Sequence, residues 1–215
     1  MKLNISMGNR KMGAIPSFSL PSGTTCSEEA RKTCHLDGCY AAAMERRLPV
    51  VRKAYAENLQ LLQSDLEGCR SWLKWYFDNP NAPRLFRIHV SGDFYSAEYF
   101  GMWLDVIRNH PQTRFMAFTK QFDIVRDAVI SQMIPENLTL IASAWPGVAL
   151  PEWVIGRMPI AWMQDGSEVR LPEDVYICDG DCAGICRGHC WGMISHESVV
   201  FEKHGPNVRK ELTNK

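Results

Sequence analysis

Eight cysteines carry the chemical interest of this 215-residue chain: Cys26, Cys34, Cys39, Cys69, Cys178, Cys182, Cys186 and Cys190. Cys69 stands alone, and the rest form two runs near opposite ends of the sequence. The first run has the spacing C-x7-C-x4-C and leads directly into Tyr40. Three thiolates in one loop can hold three irons of a [4Fe-4S] cluster and leave the fourth open to a substrate or cofactor, whereas a fourth cysteine would close it. A structural zinc completed by His35 or by a distant ligand would use the same residues. Three packing cysteines are the plain alternative.

The second run is C-x3-C-x3-C-x3-C, from Cys178 through Cys182 and Cys186 to Cys190, with glycine at the third place of each full unit. On an α-helix these cysteines would form one stripe, but three glycines at about 1 kcal/mol each argue against a free-standing helix. A glycine-rich loop wrapped around a metal fits better, because glycine lets the backbone turn close to an ion and offer N–H groups to sulfur. Four thiolates within residues 178–190 are hard to explain as packing. Spacing alone does not separate zinc from an iron–sulfur cluster there. His189 and His196 read as solvated or supporting residues.

The rest of the composition sets the context. Lys plus Arg is 24 and Asp plus Glu is 24, so no basic excess is left to coat nucleic acid. With 46% hydrophobic and 22% charged residues, the chain has the make-up of an ordinary soluble globule of one domain. No run approaches 18 apolar residues, and MKLNISMGNRKMG lacks the apolar stretch of a secretory signal. The expectation is a cytoplasmic chain with no membrane partner, in which clustered thiols serve metals rather than disulfides.

The elements that must position the cysteines can be read from pattern. IPSFSLPSG is a short strand between turn signals. Helices are expected from Ala41 to Arg47, from Pro49 toward Leu66 and from Glu67 to Phe77, the last ended by Asn79-Pro80. LFRIHVSGDF is a strand running into a Gly-Asp turn, and Ser96 to Asn109 is an amphipathic helix. RFMAFTK, NLTLIASAW, PIAWMQ and EDVYICDG read as further strands, with FDIVRDAVISQM a helix and PEWVIGR a short helical or irregular link. The tail from Met193 reads as polar, with little signal.

This alternation predicts an α/β fold with a parallel sheet over 1–215, carrying a Cys-rich loop at 178–190. About six strands suit a partial parallel β/α barrel, since a full one needs about 250 residues. A doubly wound open sheet is the competing architecture. In either, chemistry sits at the strand C-terminal ends. Cys26, Ser91-Gly92-Asp93, Thr119-Lys120, Ser143 to Trp145 and Cys178 all follow strands, so both cysteine runs are expected at one mouth. Asp93 is either a plain turn residue or a polar ligand contact. Lys120 is either a solvated strand end or a binder of carboxylate or phosphate. His89 and Cys69 read as core residues.

The set IPSFSLPSG-x2-C, C-x4-CYA, FRIHVSGDFYSAEYF-x2-W, FMAFTK and C-x3-C-x3-CW resembles the phage and plasmid gene product 88 family, from Gly8 to Trp191. More distantly, the layout resembles the radical S-adenosylmethionine superfamily, in which a partial barrel carries three cysteines after its first strand. That resemblance implies a cluster on Cys26, Cys34 and Cys39 beside Tyr40, with Ser91, Gly92 and Asp93 as the turn that holds the amino group of S-adenosylmethionine. The cysteine intervals of seven and four differ from the superfamily's three and two, and Asp93 stands where Glu is usual. The resulting expectation is an iron–sulfur protein of the host-cell cytoplasm, with one or two clusters, an unknown substrate and an electron donor. The alternative is a non-catalytic accessory protein, stabilised by iron–sulfur or zinc, that binds a host protein or nucleic acid.

Overall fold

A computed structural model describes residues 1–9, 11–34, 38–164, 175–178, 180, 182 and 188–202. The two-residue strands β1 (Ile5–Ser6) and β2 (Ser17–Phe18) open the chain. A short helix α1 (Glu28–Lys32) and three longer ones follow: α2 (Tyr40–Arg47), α3 (Pro49–Ser64) and α4 (Leu66–Asp78). Local chemistry explains their limits. Pro49 starts α3 with its preset φ. The Asp65 side chain caps α4 by accepting from the Gly68 N–H, and Pro80 stops further winding. Cys69, Leu73 and Phe77, four apart, form the buried stripe of α4.

Strands and helices then alternate through β3 (Leu85–Ile88), α5 (Ala97–Arg108), β4 (Arg114–Thr119), α6 (Phe122–Ile130), β5 (Leu138–Ala144) and β6 (Ile160–Gln164). A 3₁₀ turn at Glu152–Val154 lies in the link before β6. β7 (Tyr176–Cys178), a second 3₁₀ turn at His189–Trp191 and β8 (Ser198–Glu202) complete the described residues.

The strands form one open sheet in the order β1-β2-β3-β4-β5-β6-β8-β7. Only the β1–β2 pair is antiparallel. From β2 to β6 the spatial order follows the chain order, with no reversal of the doubly wound kind. Right-handed crossovers in one direction place their helices on one face. The main core bears this out, joining Leu62, Leu73, Trp103 and Val125 of the helices to Phe86, Ile88, Phe115, Ala117, Leu140 and Ala142 of the strands.

The opposite face carries the alternate residues. Arg87 pairs with Met116, and Phe118 with Ile141, so their side chains share this inner face, and Lys120 and Ser143 continue it. Part of it is closed by a second core of Met116, Ile141, Ala161 and Val199 under Cys190, Trp191 and Met193. The Trp191 carbonyl accepts from the Arg114 guanidinium at 3.0 Å and from the Thr139 hydroxyl at 2.9 Å, which fixes this cover beneath the strand C-terminal ends.

The expected count of about six strands thus becomes eight among the described residues. The largest correction is the tail, where Val199 and Val200 are buried in β8, between β6 and β7. Met193 is also buried rather than part of a polar tail. No helix among the described residues is long and apolar enough to cross a membrane.

Candidate functional site

The loop after β2 carries the first cysteine run, and hydrogen bonds lash it to the ends of the next strands. Leu20 N–H donates to the Ser91 carbonyl at 3.0 Å. The Ser19 hydroxyl accepts from the N–H groups of Val90 and Ser91 at 3.2 and 3.4 Å. Asp93 N–H donates to the Thr25 hydroxyl at 3.1 Å, and the Gln121 side-chain amide donates to the Thr25 carbonyl at 2.9 Å. Farther along, Thr33 lies against the turn after β5, where a Cβ on Gly147 would come within 3.2 Å of its methyl group. The cysteine loop therefore lies across the C-terminal ends of the strands, from β2 toward β5.

Cys26 is half-buried and its sulfur accepts from the Gly23 N–H at 3.3 Å. Burial pushes its thiol up to about 12, the charge of Asp93 adds to the rise, the Gly23 bond opposes it, and Cys34 and Cys39 add smaller increments. Cys34, Cys39 and Asp93 are thus each near enough to act on Cys26. Cys34 is buried and donates to the Ala30 carbonyl at 3.4 Å, at the end of α1. Cys39 occupies the N-cap of α2. Among the described residues, no three His, Cys, Asp or Glu side chains stand as a ready metal-binding group.

The Ser-Gly-Asp turn is packed beneath this loop. Gly92 has φ of +78°, and an added Cβ would fall 2.6 Å from the Thr25 hydroxyl and 2.8 Å from Leu20. Only glycine fits there. The Ser91 hydroxyl donates to the Glu45 carboxylate at 2.8 Å, and the same oxygen accepts from the Ser22 N–H at 2.9 Å. Asp93 is 5% exposed. One of its oxygens accepts from the Thr119 hydroxyl at 2.7 Å and the Phe94 N–H at 2.8 Å, and the other from the Lys120 N–H at 2.7 Å. Burial still pushes its carboxyl up to about 6 against those bonds. The polar groups of Ser91 and Asp93 are thus engaged in holding the mouth together.

Tyr40 and Lys120 flank the turn. Tyr40 is 41% exposed, but its hydroxyl is turned inward and donates to the Val90 carbonyl at 2.5 Å. Burial of that end raises the phenol, and the positive charge of Arg87 opposes the rise. The Lys120 ammonium donates to the Ser143 hydroxyl at 2.9 Å and lies 5.4 Å from the centre of the Trp145 ring. Beside it, Trp145, Pro146, Trp162 and Met163 line a half-open depression of about 280 Å³.

The second cysteine run is placed elsewhere. Cys178 ends β7, on the opposite edge of the sheet from β2, and its sulfur accepts from the Gly180 N–H at 3.4 Å. Cys182 is half-buried, and Cys190 is buried in the inner-face core beside Trp191. His189 stacks on Tyr176 with ring centres 4.0 Å apart. Cys186 and most of the glycine-rich units, at 179, 181 and 183–187, lie outside the described residues. Five strands separate β2 from β7, and since β2 through β7 run parallel, Cys178 stands at the same C-terminal end of the sheet as the first run, on a distant strand. Cys69 is fully buried in α4, as its position implied.

Three residues escaped the sequence reading. Thr25 and Gln121 anchor the cysteine loop, and nothing in their local sequence marks them. Arg87 does have a signal: it is a charge in the middle of an interior strand that should be apolar on both faces. Its guanidinium lies 5.0 Å from the centre of the Phe118 ring, and a terminal nitrogen approaches the Met12 sulfur at 3.8 Å.

Comparison with known proteins places this mouth in a family. No solved structure matches the chain. The Gene 88 protein of Mycobacterium phage L5 is 35% identical over 151 residues, covering 65% of this chain and 61% of that relative, so this match spans less than two thirds of the relative's length. The Gene 88 protein of Mycobacterium phage D29 is 34% identical over 223 aligned residues, covering 90% of this chain and 89% of the relative. The family model described as Gene product 88 matches residues 3–148. That span runs from β1 through the turn after β5 and holds the first cysteine run, the Ser-Gly-Asp turn and Lys120; on it, the chain belongs to the gene product 88 family.

Proposed function

We propose that this is a phage or mobile-element protein that binds a [4Fe-4S] cluster on Cys26, Cys34 and Cys39, as an enzyme of radical S-adenosylmethionine type built on a partial barrel. One observation carries the reading. A single loop sets three thiols across the C-terminal ends of sequentially ordered parallel strands, close enough for the other two to raise Cys26. The donor set fits such a cluster in chemistry and number. It does not yet fit in position, because Cys34 is directed to the Ala30 carbonyl and would have to turn away to join the others. Bound there, a four-iron cluster with one open iron supplies a coordination position for S-adenosylmethionine and an electron. The chain's own part is to hold the loop through Thr25, Gln121 and Gly92, and to shelter Cys26 from water.

A second reading has its own support. Ser91 and Asp93, the residues matched to the cofactor turn, are committed to Glu45, Thr119 and Lys120. This favours a structural metal in a non-catalytic accessory protein that binds a host partner. In both readings the chain works in the host cytoplasm, and the Cys178–Cys190 run holds a second metal or cluster.

Anaerobic purification followed by iron, sulfide and zinc analysis tests both. Four or eight irons with equal sulfide, lost by about half or more in Cys26→Ser, Cys34→Ser and Cys39→Ser but kept in Cys69→Ser, support a cluster on the triad. A reduced-state paramagnetic resonance signal that shifts with S-adenosylmethionine supports the enzyme, and an unresponsive signal supports the accessory protein. Zinc without sulfide overturns the iron–sulfur reading.

A further inference from the structure

On the inner face above the Trp191 cover, two cations form no ion pair with a carboxylate among the described residues. Salt bridges among the described residues engage Lys32, Lys53, Arg70, Lys74 and Arg126, and include neither Arg87 nor Lys120. Arg87 is half-buried, and its Nε is fully buried with no hydrogen-bond acceptor among the described residues. An uncompensated guanidinium in such a place is costly, and an anion relieves the cost. Its charge is felt nearby, since His89 is held down to about 3, first by burial and then by Arg87.

The geometry gathers these charges on one surface. Phe118, which carries the Arg87 guanidinium, and Lys120 are alternate residues of the β4 line, about 7 Å apart. Lys120 is steadied by Ser143 on the next strand and lies 5.4 Å from the ring of Trp145, a residue that lines the depression. Asp93 feels the charge of Lys120, but its oxygens already accept three hydrogen bonds, one of them from the Lys120 N–H. The surface thus offers a planar fork, a point charge, a hydroxyl and the apolar ring of Trp145. Such a set suits an oxyanion attached to a flat or apolar body.

We infer that Arg87 and Lys120 form a binding site for an anionic small molecule, with its phosphate or carboxylate group between the two cations and its body against Trp145. This site does not depend on the cluster proposed above, and its test is built to show that.

Pyrophosphate and citrate are titrated separately into the full chain bearing Cys26→Ser, Cys34→Ser and Cys39→Ser, with calorimetry and tryptophan fluorescence as readouts. Saturable binding is expected, with a fluorescence change from Trp145. Lys120→Met and Arg87→Met should each weaken binding at least tenfold, while Lys74→Met on the outer surface leaves it unchanged. Circular dichroism checks that the variants fold, and the half-exposed Lys120→Met serves if Arg87→Met does not. Tighter pyrophosphate points to a phosphorylated ligand, and tighter citrate to a carboxylate. No saturation below 10 mM for either anion, or equal affinity in Lys120→Met and the parent, overturns the site.

Discussion

At the scale of single residues, the mouth is fixed by groups whose freedom has been removed. Gly92 is the clearest case, since a methyl group there meets Thr25 and Leu20 at under 3 Å on a left-handed backbone. Gly92→Ala should cost about 2–3 kcal/mol, read as a lower urea midpoint, and should loosen the cysteine loop to proteolysis before the rest of the chain. Asp93 and His89 make an opposed pair toward acid. His89, in a left-handed conformation with φ 62° and bonded to the Tyr99 hydroxyl at 2.8 Å, falls from 6.5 to about 3. It binds fewer protons folded than unfolded, so its contribution is complete above pH 6.5 and lost as pH falls toward 3. Asp93 rises from 3.8 to about 6, so its contribution is complete below pH 3.8 and lost as pH rises through 6. Between pH 6 and 4 the two slopes largely cancel. Asp93→Asn removes one of them, so acidification across that window should cost the variant up to about 3 kcal/mol more than the parent, measured by urea unfolding at each pH. An equal pH slope in both proteins would show that Asp93 ionises normally.

At the scale of elements, helices were legible wherever a cap and an apolar stripe coincided. α4 has both, in Asp65 and in Cys69, Leu73 and Phe77. Leu73→Ala should therefore cost about 2–5 kcal/mol through the cavity it leaves, and Asp65→Ala about 1 kcal/mol through the lost cap, each read as a shift in thermal midpoint. α1 was less visible, because Ser27 and two glutamates start a helix of only five residues inside what reads as a metal loop. β1 is two residues long, too short for alternation to register, whereas the equally short β2 falls inside the strand expected in IPSFSLPSG. β8 was missed for another reason. Its Ser-Val-Val-Phe-Glu segment sits between polar stretches, and its apolar character becomes meaningful only once β6 and β7 flank it. Val199 is fully buried there, and Val199→Asp should cost more than about 4 kcal/mol, seen as early proteolysis of the C-terminal strands.

At the scale of the whole molecule, the parallel α/β sheet and the gathering of Cys26, Ser91, Gly92, Asp93 and Lys120 at the strand ends followed from the order of elements. Chain order places Cys26 and Cys178 at one end of a parallel sheet, but it does not say that five strands separate them. Nor does a motif show whether its polar atoms face a ligand or a neighbour, as Ser91 and Asp93 illustrate. The separation of the two runs has a measurable outcome under the cluster proposal. Replacing Cys178 and Cys182 by serine should leave the iron held by the triad unchanged, and loss of all iron would mean that one centre draws on both edges.

The placing of β8 between β6 and β7 also sets a timetable for biosynthesis. β7 leaves the ribosome before β8 and has no other strand to pair with, so the edge of the sheet stays open until translation has passed residue 202. The first cysteine run, by contrast, can dock on β3 and β4 while the second half of the chain is still being made. Under the cluster proposal, a maturation factor would therefore meet a nascent chain with one cysteine loop already seated and the other still unanchored, and metal delivery to the two would fall at different moments in the life of the polypeptide.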